Sequence, residues 1–270
     1  MTPAWVGRIR LPLVSRFTAR TLADHLRAHP GMAFVADGGR QYAIAGPWRR
    51  RAEIAELIEA GNGRARSQLL AALTDALTRQ GVELLVLDDG SHAVDRDLCR
   101  DAGLMVIERI VEYRRPTCQV EPRSSTLEIR AYTPADRDAV LAVERESFPW
   151  LWWNSQEEWD AYVASLGVDV LLGIERGRLI GYASTTIYHT DGHLDRLAVR
   201  EGDQGRGFGS ALLLAALAQL DRAGARRVRL TTQEDNVRSQ SLYQRHGFRA
   251  GGAIYEIYGK RLKAPEGSRP

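Results

Sequence analysis

The stretch of sequence that decides the fold spans residues 193–224 and reads HLDRLAVREGDQGRGFGSALLLAALAQLDRAG. Its first residues, His193 to Val199, predict a strand, and Gly207 to Ala223 predict a long amphipathic helix. A glycine-rich loop joins the two elements. The first amides of a helix lack partners within the helix, and glycines let an anion approach the backbone closely. This order of elements therefore predicts a phosphate-binding site.

Three classes of phosphate ligand use such an arrangement, and the spacing of residues distinguishes them. A P-loop is excluded because no Gly-Lys-Ser or Gly-Lys-Thr closes the loop. A dinucleotide fingerprint needs a glycine where Ser210 stands and an acid at the end of the next strand, which reads LTT at residues 230–232. The dinucleotide class is therefore disfavoured.

Two motifs resemble one known family. A Gln-x-x-Gly-x-Gly sequence at residues 204–209 follows a strand that ends in LAV at residues 197–199, and it resembles the acetyl-CoA pyrophosphate motif of the GNAT N-acetyltransferases. Residues 236–248, NVRSQSLYQRHGF, resemble the closing helix of the same family. The resemblance covers about residues 127–260.

The resemblance implies an α/β (α+β layered) fold with a mixed, mostly antiparallel central sheet flanked by helices. It implies direct transfer of an acetyl group from the co-substrate acetyl-CoA to a primary amine of a small molecule or a protein. The alternative is a non-catalytic acetyl-CoA sensor or scaffold, which the intact loop and Tyr243 disfavour. The cofactor contacts expected on this basis are Leu197, Ala198, Val199, Gln204, Gly205, Arg206, Gly207, Phe208, Gly209, Ser210, Asn236 and Ser239.

The chain contains a repeat of this unit. Residues 67–81, SQLLAALTDALTRQG, match residues 210–224, SALLLAALAQLDRAG, and a hairpin pattern precedes each helix, at residues 33–44 and 168–183. We therefore expect two tandem GNAT-like domains, at residues 1–121 and 122–270. The layout is similar to that of the mycothiol synthases.

The first copy lacks the residues that would bind the cofactor. When the helices are aligned, Arg64 and Arg66 replace Gly207 and Gly209, and Cys99 replaces the tyrosine of the closing helix. We expect a degenerate domain that does not bind acetyl-CoA. The alternative is that the two arginines bind phosphate by charge.

Catalytic roles follow from the resemblance. Tyr243 matches the tyrosine that protonates the departing sulfur, and the alternative is a tyrosine that closes the core beside Gly247 and Phe248. The backbone of Leu197 and Val199 would face the pantetheine arm where the strand splays from its neighbour, with both side chains in the core.

The general base is assigned to His193 and Asp195. Strand alternation places residues 193, 195, 197 and 199 on one face, so both side chains would face the acceptor together. An imidazole titrates in the range needed to accept a proton. The alternatives are a pair of polar surface residues, or a local bulge that turns one of them away.

Tryptophans are concentrated in the segment FPWLWWNSQEEW at residues 148–159. In the resembled family this segment borders the acceptor, so Trp150, Trp152 and Trp153 are expected to form an aromatic wall. The equally weighted alternative is packing against the first copy. Asn236 is expected to cap its helix in preference to contacting substrate.

Composition excludes several classes. The 270 residues are 44% hydrophobic and 26% charged with a net charge of +3, and no apolar run approaches the roughly 20 residues of a membrane span. Neither a secretion signal nor a zinc-ligand pattern is present, and two cysteines make no disulfide framework. We expect a cytoplasmic monomer or homodimer that binds no metal, membrane or nucleic acid.

Overall fold

The computed structural model describes residues 1–13, 15–88, 95–120 and 126–262. The chain forms two compact units, one from Met1–Arg109 with Tyr255–Pro270 and the other from Ile110–Ile254. The predicted boundary between residues 121 and 122 lies outside the described residues and stays a prediction.

Both sequence copies contain helices and strands in mixed order. In chain order the elements of the described residues are α1 (Ala19–Ala28), β1 (Ala33–Ala36), β2 (Gln41–Pro47), β3 (Ile54–Ala60), α2 (Arg66–Arg79), β4 (Leu84–Asp88), α3 (Arg96–Ala102), β5 (Met105–Arg115), β6 (Glu128–Ala131), α4 (Arg137–Ser147), α5 (Gln156–Val163), β7 (Val168–Glu175), β8 (Arg178–Tyr188), β9 (Asp191–Val199), α6 (Phe208–Arg222), β10 (Arg227–Gln233), α7 (Val237–Arg245) and β11 (Arg249–Arg261).

The two units use the same pattern of strand pairing. In the second unit the strand order is β5-β10-β9-β8-β7-β6, and these neighbours pair antiparallel except for the parallel pair β9–β10. In the first unit β1 to β4 are neighbours in chain order, and β4 pairs with the last residues of β11. There the parallel pair is β3–β4. The expected mixed, mostly antiparallel sheet with flanking helices is confirmed.

Both faces of the second unit's sheet are covered by helices. Helix α6 buries Leu212, Leu213 and Leu217 in one core that also contains Ile180 and Leu230 from the sheet. A second core contains side chains from the sheet and from α4 and α5. Its buried members are Val140, Leu141, Val143, Trp159, Val170, Leu172, Tyr182 and Ala198. Each buried side chain of this size contributes about 2 kcal/mol, so the sheet is held firmly on both sides.

Helix boundaries agree with the sequence signals to within a few residues. Ser155 caps α5 by accepting a hydrogen bond from the Glu158 amide, at 3.0 Å. That helix ends at Val163, and Gly167 then turns the chain with a φ of 82°. The longest helix of the described residues, α6, has 15 residues, and among those residues no helix combines the length and apolarity needed to cross a bilayer.

Candidate functional site

The loop between β9 and α6 has the backbone of an anion site. Gly205 and Gly207 adopt φ angles of 82° and 85°, a region that disfavours side chains. No heavy atom of the described residues lies within 4 Å of where a Cβ would stand at either glycine. Within the described chain, no side chain caps the helix at Gly207. Helix α6 therefore begins after a left-handed glycine without a side-chain cap, and such a helix N-terminus suits an anion.

Ion pairs fix the start of this loop. Asp203 is 4% exposed and accepts hydrogen bonds from Arg178 at 2.7 Å and from Arg206 at 3.1 Å. Arg206 also pairs with Glu175 at 2.7 Å. The Gln204 side chain donates to the Val199 carbonyl at 2.9 Å. The loop is thus tied both to the β7–β8 hairpin and to the end of β9.

The strands β9 and β10 separate where the resemblance places the pantetheine arm. Their parallel register runs only from Asp191 and Arg227 to Leu194 and Leu230. Beyond that point residues 197–199 pair with residues 181–183 of β8. The expected splay is confirmed. Both Leu197 and Val199 pack their side chains against the core, as expected.

Tyr243 lies on α7 and belongs to the core against which Leu197 and Val199 pack. The Asn236 side chain accepts a hydrogen bond from the Ser239 amide at 3.1 Å, which confirms its expected capping role. The Tyr243 ring lies 5.8 Å from the Phe248 ring between centroids, and it is buried. Burial raises the pKa of Tyr243 to about 12, against a smaller lowering by the Ser239 hydroxyl. The phenol is therefore protonated at neutral pH and can donate a proton.

The predicted alternation along β9 is wrong at one position. Arg196 pairs with Ser184 and Leu194 pairs with Thr185, so Asp195 is the extra residue of a β-bulge. A bulge shifts the side-chain alternation by one residue. As a result Leu194 joins the same core as Leu197 and Val199. His193 therefore does not share the face of residues 197 and 199.

The bulge nevertheless brings His193 and Asp195 together. His193 Nδ1 lies 2.8 Å from Asp195 Oδ1, and the imidazole is 38% exposed. The hydroxyls of Tyr162 and Thr186 both donate to Asp195 Oδ2, each at 2.6 Å. Burial, followed by the Asp195 charge, raises the pKa of Tyr162 well above its usual range. Asp195 therefore accepts up to three hydrogen bonds and fixes the orientation of the imidazole.

Tyr162 and Thr186 were not found by sequence reasoning. Each contributes a hydroxyl from an element, α5 or β8, that precedes the bulge in the chain. Neither residue belongs to a local motif, so only the tertiary pairing of these elements with β9 reveals the contact.

The aromatic segment runs along β9. At its start the Ser147 hydroxyl donates to the Val199 carbonyl at 3.0 Å. Farther on, the Arg196 guanidinium donates to the Trp152 carbonyl and lies 4.6 Å from the centre of the Phe148 ring. Trp150, Trp152 and Trp153 are partly buried, whereas Trp159 is wholly buried in the core.

A buried ion pair joins this segment to the sheet. Glu144 is 0% exposed and lies 3.1 Å from Arg196 Nε. It also accepts hydrogen bonds from the Asn154 amide at 3.0 Å and the Tyr182 hydroxyl at 2.6 Å. Sequence reasoning missed this pair. One signal for it was available in the sequence: Arg196 stands between Leu194 and Ala198 on a strand with a buried face, and a buried arginine needs a partner.

The equivalent loop of the first unit is filled by its own side chains. Arg66, at the start of α2, is 8% exposed and pairs with Asp101 at 2.6 Å and with Asp95 at 2.8 Å. The Gln41 side chain accepts a hydrogen bond from the Ala65 amide at 2.7 Å. The guanidinium and the first amide are therefore already partnered.

The described residues contain no group of three His, Cys, Asp or Glu side chains arranged to hold a metal ion.

Comparison with known proteins defines the class. The model of the "Acetyltransferase (GNAT) family" matches residues 130–248. Mycothiol acetyltransferase of Streptomyces avermitilis is 30% identical over 210 residues, which cover 73% of this chain and 68% of the relative. The chain therefore belongs to the GNAT acetyltransferase family, and the predicted enzyme class is confirmed.

Other similar proteins support the tandem layout. Mycothiol acetyltransferase of Mycobacterium sp. (strain JLS) is 25% identical over 211 residues, covering 72% of this chain and 70% of the relative. A GCN5-related N-acetyltransferase from Kribbella flavida has a TM-score of 0.69 at 12% identity, covering 98% of this chain and 70% of that one. A tandem GNAT protein from the clavulanic acid biosynthesis pathway has a TM-score of 0.57 at 17% identity, with coverage of 97% and 95%.

Proposed function

We propose that the second unit transfers an acetyl group from acetyl-CoA to a primary amine of a small molecule. The observation that carries this proposal is the start of α6, which has no side-chain cap and follows Gly205 and Gly207 in left-handed conformations with no neighbouring atom where a Cβ would stand. Members of the GNAT family use acetyl-CoA, and the names of the relatives, mycothiol acetyltransferases, favour a small-molecule acceptor.

Two backbone segments would hold the coenzyme. The amides at residues 205–210 would bind its pyrophosphate, because a helix N-terminus favours anions. The backbone of residues 197–199 would bind the pantetheine arm at the edge that β10 leaves. Asn236 and Ser239 lie at the N-terminal end of α7, and their side chains would border the coenzyme. When bound, acetyl-CoA supplies the thioester that is attacked.

His193 would act as the base. Its Nδ1 is occupied by Asp195, which leaves Nε2 to accept the proton of the attacking amine. Asp195 would hold the imidazole and stabilise its charged form, and its own carboxylate is held by Tyr162 and Thr186. The remaining task is protonation of the departing sulfur, which we assign to the Tyr243 phenol because residues 236–248 resemble the closing helix of the family.

The first unit would not bind acetyl-CoA. Its helix α2 begins with Arg66 engaged by Asp95 and Asp101, and Gln41 already accepts from the Ala65 amide. Incoming phosphate would have to displace these internal partners. This supports a single working site, in the second unit.

Thiol release from acetyl-CoA tests the proposal. The full chain is incubated with acetyl-CoA and a panel of tyramine, tryptamine, glucosamine and spermidine, and free thiol is measured with a chromogenic disulfide. We expect amine-dependent thiol release by at least one of these amines. Binding of acetyl-CoA without thiol release across the panel and across protein amino groups would instead support a sensor.

A further inference from the structure

One buried ion pair, between Arg196 on β9 and Glu144 on α4, contacts the segment at residues 148–154 at three of its residues. Arg196 donates to the Trp152 carbonyl, and its guanidinium stacks over the Phe148 ring at 4.6 Å. Glu144 accepts from both the backbone amide and the side-chain amide of Asn154, each at 3.0 Å. The start, middle and end of the segment are therefore each held.

The ion pair itself is held firmly. The side chains of Arg196 and Glu144 are 10% and 1% exposed and lie 3.1 Å apart. The Tyr182 hydroxyl, inside the core, donates to Glu144 at 2.6 Å. A buried carboxylate is tolerated only when it is paired and hydrogen-bonded. A well-packed apolar pair would stabilise a core at least as well, so the retained charges point to the contacts they make with the segment.

The segment lies beside the residues assigned to the reaction. Ser147, just before it, donates to the Val199 carbonyl at 3.0 Å. Tyr162, on the helix that follows it, donates to Asp195 at 2.6 Å. Arg196 is the residue next to Asp195 in the chain. The segment thus lies against β9 at Arg196, and the residues on either side of it in the chain contact Val199 and Asp195.

We propose that Arg196, held by Glu144, is a positioning residue that fixes segment 148–154 against β9 as the wall of the acceptor site. The inference rests on the proposed function, because it assigns the acceptor side of the same site. Arginine suits this role since its planar group donates in several directions and stacks on an aromatic ring at the same time. Lysine keeps the charge but loses the fork and the stacking.

The test compares Arg196→Lys with the wild type. Hydrogen exchange of the full chain is followed by mass spectrometry in peptides covering residues 148–154, where the Trp152 and Trp153 amides are hydrogen-bonded. We expect exchange there to become at least tenfold faster. With the amine that gives the fastest thiol release in the panel, we expect KM for the amine to rise at least tenfold. Both kcat and the Kd of acetyl-CoA should change less than threefold.

Two further variants keep the test decisive. Arg130→Lys is the matched control, because Arg130 also pairs with a carboxylate, Asp136, through two hydrogen bonds of 2.8 and 2.6 Å. It should change neither the exchange nor KM. If Arg196→Lys fails to fold, the double variant Glu144→Gln with Arg196→Met removes both charges together and is measured in its place.

Each outcome decides the proposal. Unchanged exchange in the segment overturns the positioning role, and so does a fall in kcat with an unchanged KM for the amine. Failure of the proposed function is seen separately, as absence of thiol release in the wild type. In that case the exchange measurement still decides whether Arg196 fixes the segment.

Discussion

The loops that lead into α2 and α6 occupy equivalent positions in the two sequence copies, but they contain different residues. The first ends in Arg66, whose guanidinium is buried between Asp95 and Asp101. The second contains Gly205 and Gly207, and no neighbouring atom lies where a Cβ would stand at either residue. The two copies therefore place different side chains at this loop, and we propose that only the second binds an external anion.

The side chains of the two loops also contribute to the stability of their units. Hydrogen bonds to a charged group contribute about 1.5–3 kcal/mol each, so the filled loop stabilises its own unit. The loop before α6 has ion pairs of its own, at Asp203 and Arg206, but none at its two glycines. We propose that the amides there bind the ligand.

The largest expected effect comes from filling the open loop. Gly207→Arg should weaken acetyl-CoA binding at least about 100-fold, which corresponds to about 3 kcal/mol or the loss of about two charge-assisted hydrogen bonds. Arginine attracts phosphate, so such a loss must come from backbone strain at a φ of 85° and from bulk. Calorimetric titration measures the Kd.

Gly224→Arg is the control for this change. Gly224 follows the other end of α6, has a φ of 90°, and also has no heavy atom of the described residues within 4 Å of a Cβ. Equal weakening by both variants would mean that general strain, and not the loop, controls binding.

The next effect concerns Tyr243, where the first copy has Cys99. Tyr243→Phe should lower kcat about 100-fold, the contribution typical of a positioned proton donor, and leave the Kd of acetyl-CoA within threefold. Tyr113→Phe is the control, since Tyr113 is buried in the same core and bonds to Gln240. A kcat that is unchanged by Tyr243→Phe would leave this tyrosine with a packing role.

The pKa of Tyr243 gives a pH dependence of stability. Its folded pKa of about 12 is raised above the ordinary value of 10. The stability from the buried neutral phenol is therefore fully present below pH 10 and is lost as pH rises toward 12. Unfolding by urea at pH 8 and pH 11 should show a larger loss for wild type than for Tyr243→Phe. Equal losses would contradict the burial of this group.

A smaller effect is expected at the base. Tyr162→Phe removes one of the donors to Asp195 and loosens the imidazole of His193. We expect kcat to fall about tenfold, less than the roughly 100-fold contribution of a general base itself. Tyr132→Phe is a suitable comparison, because Tyr132 accepts from Trp159 near α5 but does not touch Asp195 in the described contacts. Steady-state thiol release measures both.

The smallest effect on binding comes from emptying the filled loop. Arg66→Met should lower the free energy of unfolding by about 2 kcal/mol, because two carboxylates lose a charged partner while staying partly exposed. Affinity for acetyl-CoA and the number of sites should not change. Urea unfolding and calorimetry check the two halves of this prediction, and a new second site would show that Arg66 blocked binding.

Local patterns predicted much of this fold. The glycine loop, the two hairpins and the capping of α7 by Asn236 depend on residues close together in the chain, and the structure places them as expected. The splay beyond Leu194 followed from the family resemblance.

Long-range contacts explain what sequence reasoning missed. The bulge at Asp195 depends on how β8 pairs with β9, and no local signal reveals an extra residue in a strand. The pairing of Arg196 with Glu144 joins β9 to α4. Arg66 likewise pairs with Asp101 on α3 and with Asp95 just before that helix. The sequence left open that this arginine binds phosphate, but its side chain is engaged by these two internal partners.

Calorimetric titration of the unaltered full chain with acetyl-CoA tests the central claim most directly. We expect one binding site per chain, formed by the amides that begin α6. Two sites per chain would show that the first copy is not silent. No binding at all would contradict the assignment of the α6 loop to coenzyme A.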